Sequence, residues 1–347
     1  MSINEVAKKA GVSFSTVARV INRHPLVAEE TVEKVRKAMK ELNYVPPTPA
    51  NRRGPRTARN QGFRTRNIAS LLVSMSNVHL QAMTAPGPLA DALTKHGLNL
   101  IYVPMQDPSK LPSIIALKHV DGVIVQGMEP VGKADESLRM LPAEWMMTRR
   151  SNTYWSDYVQ PDNEANGRMA AQHLLSLGHR RLGLINLQPN YPAFSPRCKA
   201  FTDFARSQGV SVKTPQVESV DPSPILKIDG IQGLVEKQVR DLLDAKPRPT
   251  GIYVTYEFPL GTVYRELQKR GLKVGKDLDL IVGDSVRTDL FHPPPSSIDV
   301  QIPLIAERAV EQLIWRIRHP DAPGPVGTTI PPVLVIPDES RKDGTHL

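Results

Sequence analysis

Two short runs of apolar residues at helical spacing, separated by one glycine, constrain most tightly what the start of this chain can fold into. Ile3, Val6, Ala7 and Ala10 fall at i, i+3, i+4 and i+7, one face of a helix. Gly11 follows, the residue type that tolerates the left-handed geometry of a tight turn. Ser13 suits an N-cap, and Val17, Val20 and Ile21 form a second apolar face. The pattern predicts two short helices across a tight turn. A third amphipathic helix is expected from about Glu29 to Leu42, with Val32, Val35, Met39 and Leu42 turned inward as a brace. The outer side of the second helix carries Phe14, Ser15, Ala18, Arg19 and Asn22, placed to face a major groove.

Charge points the same way. Residues 1–66 hold five Lys, nine Arg, five Glu and no Asp, a net +9, which equals the formal charge of the whole chain. The remainder is neutral, and a basic head on a neutral body is the electrostatic footprint of a nucleic-acid binder. With 347 residues, 40% of them hydrophobic, the chain is long enough for two or three units with sizeable cores. Its single cysteine, Cys198, excludes an intrachain disulfide framework and a multi-cysteine zinc site. No apolar run has membrane-spanning length, and MSINEVAKKAG lacks the apolar region of a secretory signal, so a cytoplasmic protein with no membrane partner is expected.

The ordered strings Val6-Ala7-Lys8-Lys9-Ala10-Gly11-Val12-Ser13, Thr16-Val17-Ala18-Arg19-Val20-Ile21-Asn22, Glu33-Lys34-Val35 and Leu42-Asn43-Tyr44-Val45-Pro46 resemble the headpiece of the LacI/GalR repressors. The resemblance implies that Phe14, Ser15 and Arg19 read base edges, with Arg19 suited to a bidentate contact to guanine and Phe14 to a thymine methyl. Thr16 and Asn22 would hold phosphates, which position without specifying. Ala18 stands where the family usually has Ser, and Ala28 where it usually has a Ser or Thr cap. Glu29 and Glu30 partly compensate by favouring the helix dipole.

Residues 46–66, PPTPANRRGPRTARNQGFRTR, read as a linker. In the family this segment forms a hinge helix on DNA and wedges a leucine into the minor groove. With Ala50 aligned to the hinge alanine, the leucine position falls on Arg53, and Gly54 and Pro55 would end a helix early. Arg52, Arg53 and Arg56 are therefore expected to enter a narrow minor groove electrostatically; the alternative is a basic tether that adds only nonspecific affinity.

From Asn67 onward, apolar runs alternate with helical patterns. Ile68–Val73, Leu100–Val103, Gly122–Val125, Leu182–Ile185, Ile252–Val254 and Leu280–Val282 read as buried parallel strands, and Asn163–Leu177 and Leu260–Arg270 as helices between strands. The expected fold is an all-α helix-turn-helix headpiece (1–45), the linker (46–66) and an α/β core of two doubly wound lobes (67–345). The N-lobe is expected at about 67–160 and 292–318, and the C-lobe at about 162–290 and 320–345. His119–Ile124, Asp162-Asn163 with Gly167, Leu177–Arg181 and Arg197 with Ala200-Phe201 continue the resemblance. They imply a core like periplasmic binding proteins, with a small-molecule cleft between the lobes coupled to the head. Within it, Arg197 maps onto an arginine that grips a sugar hydroxyl or carboxylate. Tyr256-Glu257 replaces the family's Asn-Asp, and Gly283-Asp284-Ser285-Val286 its Gly-Phe/Tyr-Asp-Asp, so Asp284 is the candidate carboxylate, one place early. Arg150, Arg197, Tyr256 and Asp284 form the candidate effector set. His179 is expected to satisfy a loop or a helix end rather than a metal.

G-x-G-x-x-G, P-loop, H-E-x-x-H and G-x-S-x-G patterns are missing, so neither an enzyme nor a cofactor is expected. The expected function is a homodimeric regulator, a repressor of palindromic double-stranded operators, tuned by a small molecule, a carbohydrate or derivative. A dimer suits the palindrome, and no leucine heptads follow Pro337. The alternatives are a solute-binding protein, or an activator, built on the same core.

Overall fold

A computed structural model of the chain describes residues 3–21, 27–42, 44, 62–74, 86–147, 155–189, 191–215, 228–284 and 288–337. It divides into two compact units, Met1–Gln61 and Gly62–Leu347.

The first unit holds α1 (Ile3–Ala10), α2 (Phe14–Ile21) and α3 (Glu29–Glu41). Val6, Ala7, Val17, Val20, Val35 and Ala38 form its buried core, flanked by half-buried Val32, Met39 and Leu42. These are inward positions that the helical spacing dictates, with Ala38 added; Ala10 and Ile21 pack against them half-buried, and the Ile3 side chain lies outside the described residues. Gly11 takes a positive φ of 64° at the turn, where Val12 N donates to Ala7 O at 3.1 Å. Ala28 gives α3 no side-chain cap, and Glu29 and Glu30 occupy its first turn.

The second unit runs β1 (Asn67–Val73), α4 (Pro86–Lys95), β2 (Asn99–Met105), α5 (Ser113–Ala116), β3 (Gly122–Gly127), α6 (Lys133–Leu138), β4 (Ala143–Met146) and β5 (Asp157–Pro161). It then crosses into α7 (Asn163–Ser176), β6 (Leu182–Ile185), α8 (Phe194–Ser207), β7 (Val212–Lys213), α9 (Ile228–Leu243), β8 (Gly251–Val254), α10 (Leu260–Lys269), β9 (Asp279–Val282) and β10 (Ser296–Asp299). Last come α11 (Ile302–Arg318), β11 (Gly327–Ile330) and β12 (Val333–Val335). Two six-stranded sheets result, in the orders β11-β5-β4-β3-β1-β2 and β12-β10-β9-β8-β6-β7. All pairings are parallel except β10 with β12. The apolar runs read as strands in β1, β3, β6, β8 and β9 lie inside the sheets, because parallel strands covered on both faces must be apolar on both. Leu100–Val103, read as a buried strand, is instead part of the edge strand β2, where Val103 is buried but Tyr102 is exposed.

Ser296–Asp299 pairs with β9, so it belongs to the second lobe rather than to an N-lobe segment 292–318. Gly327–Ile330 pairs with β5, so it belongs to the first lobe rather than to a C-lobe segment 320–345. Each strand buries a single large apolar residue, Ile298 or Ile330, too little for a periodic signal. The chain therefore crosses between lobes at about 162, 300 and 331, and α11 packs into the first lobe through Ile305, Val310, Leu313 and Ile317. Finally, Gly62–Arg66 lies with the core rather than in a linker ending at 66.

Candidate nucleic-acid interface and effector cleft

In the head, Val17 and Val20 pin one face of α2 to the core. This leaves Phe14 54% exposed and Ser15 and Arg19 exposed beside it, with Thr16 half-buried. A core role for Phe14 is thereby excluded. Ser13 caps the helix: Thr16 N donates to its Oγ at 3.2 Å. The Ser13 hydroxyl also lies 2.7 Å from Ser15 Oγ and 2.9 Å from Thr16 Oγ1. A polar, capped helix start next to exposed Phe14 and Arg19 is what a groove-reading helix requires. Asn22 and the arginines Arg52, Arg53 and Arg56 lie outside the described residues, as does Arg150.

In the core, polar groups gather where the strands of the second lobe end and the first crossing begins, the location where open α/β sheets bind ligands. Arg197, on α8, is fully buried. Its Nε donates to Asn163 Oδ1 at 2.8 Å. Its Nη1 faces Thr255 O at 2.8 Å, Gly283 O at 3.0 Å and Asp284 Oδ1 at 3.1 Å. Nη2 is buried without a hydrogen-bond partner. The guanidinium is held on two nitrogens, and the third is a buried donor without an acceptor, which is costly to keep. The scaffold is tight around it. A Cβ on Gly167 would sit 1.9 Å from Arg197 O, and one on Gly283 2.3 Å from Thr255 O, so only glycine fits where α7 meets α8 and where β9 ends.

The structure brings Arg197 and Asp284 together as a buried ion pair, so Asp284 orients the arginine. Tyr256, the third member of the candidate effector set, is buried beside Phe194. Its ring stacks on Phe194 at 4.5 Å and 5°, and burial pushes its phenol far above the usual range. It is a wall of the second lobe's core. The guanidinium of Arg197 lies over the other aromatic of that stack, Phe194, at 5.5 Å.

Sequence reasoning missed the supporting amides. Asn166 donates to Gly283 O at 2.9 Å and accepts from the Tyr253 hydroxyl at 2.7 Å. Asn186 accepts from Thr255 Oγ1 at 3.2 Å, and its carbonyl from Gln238 Nε2 at 2.8 Å. Such residues carry no local pattern; only the fold assembles them. His179 bridges the starts of two strands as expected of a structural histidine, with Nδ1 3.0 Å from Thr250 Oγ1 and Nε2 2.8 Å from Asp279 Oδ2.

Cys198 follows Arg197, and burial pushes its thiol up to about 12 despite a hydrogen bond from Asn186 Nδ2 at 3.1 Å. The thiolate is the reactive form, so the folded protein is expected to resist iodoacetamide at about pH 8, and the urea-unfolded chain to label readily. Intact-mass spectrometry reads the difference; equal labelling rates in both states would contradict the burial.

A three-helix head with an exposed reading face, joined to two parallel-sheet lobes crossed three times, defines a DNA-binding transcription regulator with a sensor core. Residues 2–47 match the family described as bacterial regulatory proteins, lacI family, and residues 171–340 the periplasmic binding protein-like domain. The chain's two matched domains are those that the LacI/GalR transcriptional regulators combine. Over 331 residues it is 27% identical to the HTH-type transcriptional repressor PurR of Mannheimia succiniciproducens, covering 92% of this chain and 93% of that one. Its fold is that of a transcriptional regulator CelR–cellobiose complex, with a TM-score of 0.64 at 23% identity, over 97% of this chain and 98% of that one. The lac repressor dimer bound to operator and the anti-inducer ONPF shares it, with a TM-score of 0.64 at 20% identity over the same shares. Among the described residues, no helix is long and apolar enough to cross a membrane.

Proposed function

We propose that the chain is a cytoplasmic homodimeric repressor that reads a palindromic operator through α2 and changes its hold when a small molecule binds beside Arg197. The carrying observation is the exposure of Phe14, Ser15 and Arg19 opposite the buried Val17 and Val20. Arg19 reaches a guanine edge, Phe14 a thymine methyl and Ser15 an adjacent base, while Thr16 and Asn22 hold phosphates. Arg52, Arg53 and Arg56 follow the minor groove between half-sites. Two heads related by a twofold axis match a palindrome.

The unsatisfied Nη2 of Arg197 supports an oxygen acceptor on the effector. Asp284 already balances the arginine's charge, so a hydroxyl or carbonyl oxygen suffices. A carbohydrate or derivative fits that chemistry, with Arg150 as a second contact; the cellobiose named for the CelR structure supports the class. The repressing role is supported by the likeness to PurR.

The test is Arg19→Ala, assayed by anisotropy on a duplex selected by the wild-type protein. Loss of about 1–3 kcal/mol, with specificity relaxed at one symmetric base pair, is the expected result. Equal weakening on all sequences would make Arg19 a phosphate contact and sink the assignment.

A further inference from the structure

Residues 62–66, where the core begins, are gripped from three sides. The Asp121 carboxylate, at the start of β3, accepts from three consecutive backbone amides: Arg64 N at 2.9 Å to Oδ1, Thr65 N at 3.0 Å to each oxygen and Arg66 N at 2.6 Å to Oδ2. Amides converge on one anion only when the backbone curls, and Arg66 takes the left-handed φ of 61° that closes the curl. For a non-glycine residue that conformation persists only where its surroundings hold it. One residue earlier, Phe63 packs against the first lobe's core with the Arg318 guanidinium 5.9 Å from its ring centroid. Gly62, at φ 95°, lies so close to the last turn of α11 that a Cβ there would sit 2.9 Å from Ile317 O.

The far end of α11 is fastened to the lobe crossings. Gln301, just before it, has a φ of 60°. Its amide donates to Asp299 Oδ1 at 2.7 Å, and its Nε2 to Pro331 O at 2.6 Å, tying the second crossing to the third. The third is tied to the first, since Asp162 N donates to Ile330 O at 2.8 Å. Between these ends α11 is one uninterrupted helix of 17 residues, about 26 Å at 1.5 Å per residue. Near its C-terminal end, Arg316 clamps Asp157 of β5 with Nε and Nη2, both at 2.8 Å.

We propose that Asp121 and the C-terminal turn of α11 form a grip that fixes where the linker leaves the core, and that α11 carries the state of the lobe crossings to that grip. Asp121, Ile317 and Arg318 are thus positioning residues for the operator-reading head. The inference rests on the DNA-reading function proposed above. It supplies a contiguous physical element between the sensor and the chain leading to the head, rather than a correlation between distant sites.

Hydrogen exchange of the full-length protein, read by mass spectrometry at single-residue resolution, tests the grip without DNA or effector. Amides 64–66 are expected to exchange at least about tenfold more slowly than exposed turn amides. In Asp121→Asn, an amide nitrogen faces those donors, and their protection is expected to collapse while β1 and β3 stay protected. Gln301→Ala, at the opposite end of α11, is expected to speed exchange at 64–66 as well. Wild-type amides 64–66 exchanging freely, or a Gln301→Ala effect confined to 299–303 and 331, would overturn the proposal.

The second arm selects from a random duplex library with wild type and Asp121→Asn. The variant is expected to keep the half-site and tolerate several half-site spacings. Uniformly weaker binding at one unchanged spacing would mean only a structural role and overturn the positioning assignment. If the wild type enriches no motif, the DNA-reading function fails, and the exchange arm alone still decides the grip.

Discussion

Replacing Arg197 by leucine is expected to destabilise the core by about 3–5 kcal/mol, because it removes the buried cation that is paired with the desolvated Asp284 carboxylate. The substitution also strands Asn163 Oδ1 and the Thr255 carbonyl and takes one of two donors from the Gly283 carbonyl, which keeps Asn166 Nδ2. At roughly 2–4 °C per kcal/mol for a unit of this size, calorimetry should show a clearly lowered midpoint. Arg197→Leu combined with Asp284→Asn should recover part of the loss, since the buried negative charge is gone as well. The recovered part is the coupling between the two residues. Additive losses would mean that the pair is not the organising contact of the site. Arg197→Lys should separate stability from sensing: it keeps a positive charge beside Asp284 but cannot supply the planar fork whose Nη2 is held open.

The second large effect concerns a residue outside both functional surfaces. Glu144 of β4 is wholly buried, and neither carboxylate oxygen has a hydrogen-bond partner. Burial, and then the negative charge of Asp157, hold its carboxyl well above the usual range; Arg316 only partly offsets them, being engaged by Asp157. The folded protein therefore keeps a proton on Glu144 that the unfolded chain gives up above about pH 4.5. Stability from this group is full below that pH and falls by about 1.4 kcal/mol per pH unit as pH rises toward the folded value. Glu144→Gln removes the ionisation and keeps the shape. Its midpoint should match wild type at about pH 4 and exceed it increasingly by about pH 7. Wild-type and variant curves running parallel across that range would show that Glu144 is ionised or paired in the folded protein.

These two residues illustrate what the sequence makes legible. The head reads directly, because a two-turn helix must place its apolar residues at fixed spacing and Gly11 marks the turn. The central strands read for a similar reason: Val123-Ile124-Val125 and Leu280-Ile281-Val282 are apolar on both faces because helices cover both. Short strands near the sheet edges are harder: Ser296–Asp299, second from one edge, and Gly327–Ile330, at the edge of the other sheet, each bury one large apolar residue, too little for the period to place the lobe crossings. At the cleft, Arg197 was legible as a residue but its setting was not. Asn163, Thr255 and Gly283 come from three separate segments, and two of them contribute only backbone carbonyls, which have no sequence signature. The packing of Tyr256 was not legible either: an aromatic ring serves equally as a ligand face or a core filler, and its stacking partner Phe194 lies 62 positions earlier in the chain. The missing cap at Ala28 was visible in both, since an alanine has no side-chain acceptor to offer.

The central claim is that α2 of the head reads specific bases, and selection from a random duplex library at fixed salt tests it most directly. The full-length protein should enrich a palindrome, and the Arg19→Ala variant should lose preference at one symmetric base pair of it. Enrichment of no motif by the wild-type protein, with binding that depends on salt alone, would contradict the account and leave the head a basic, sequence-blind surface.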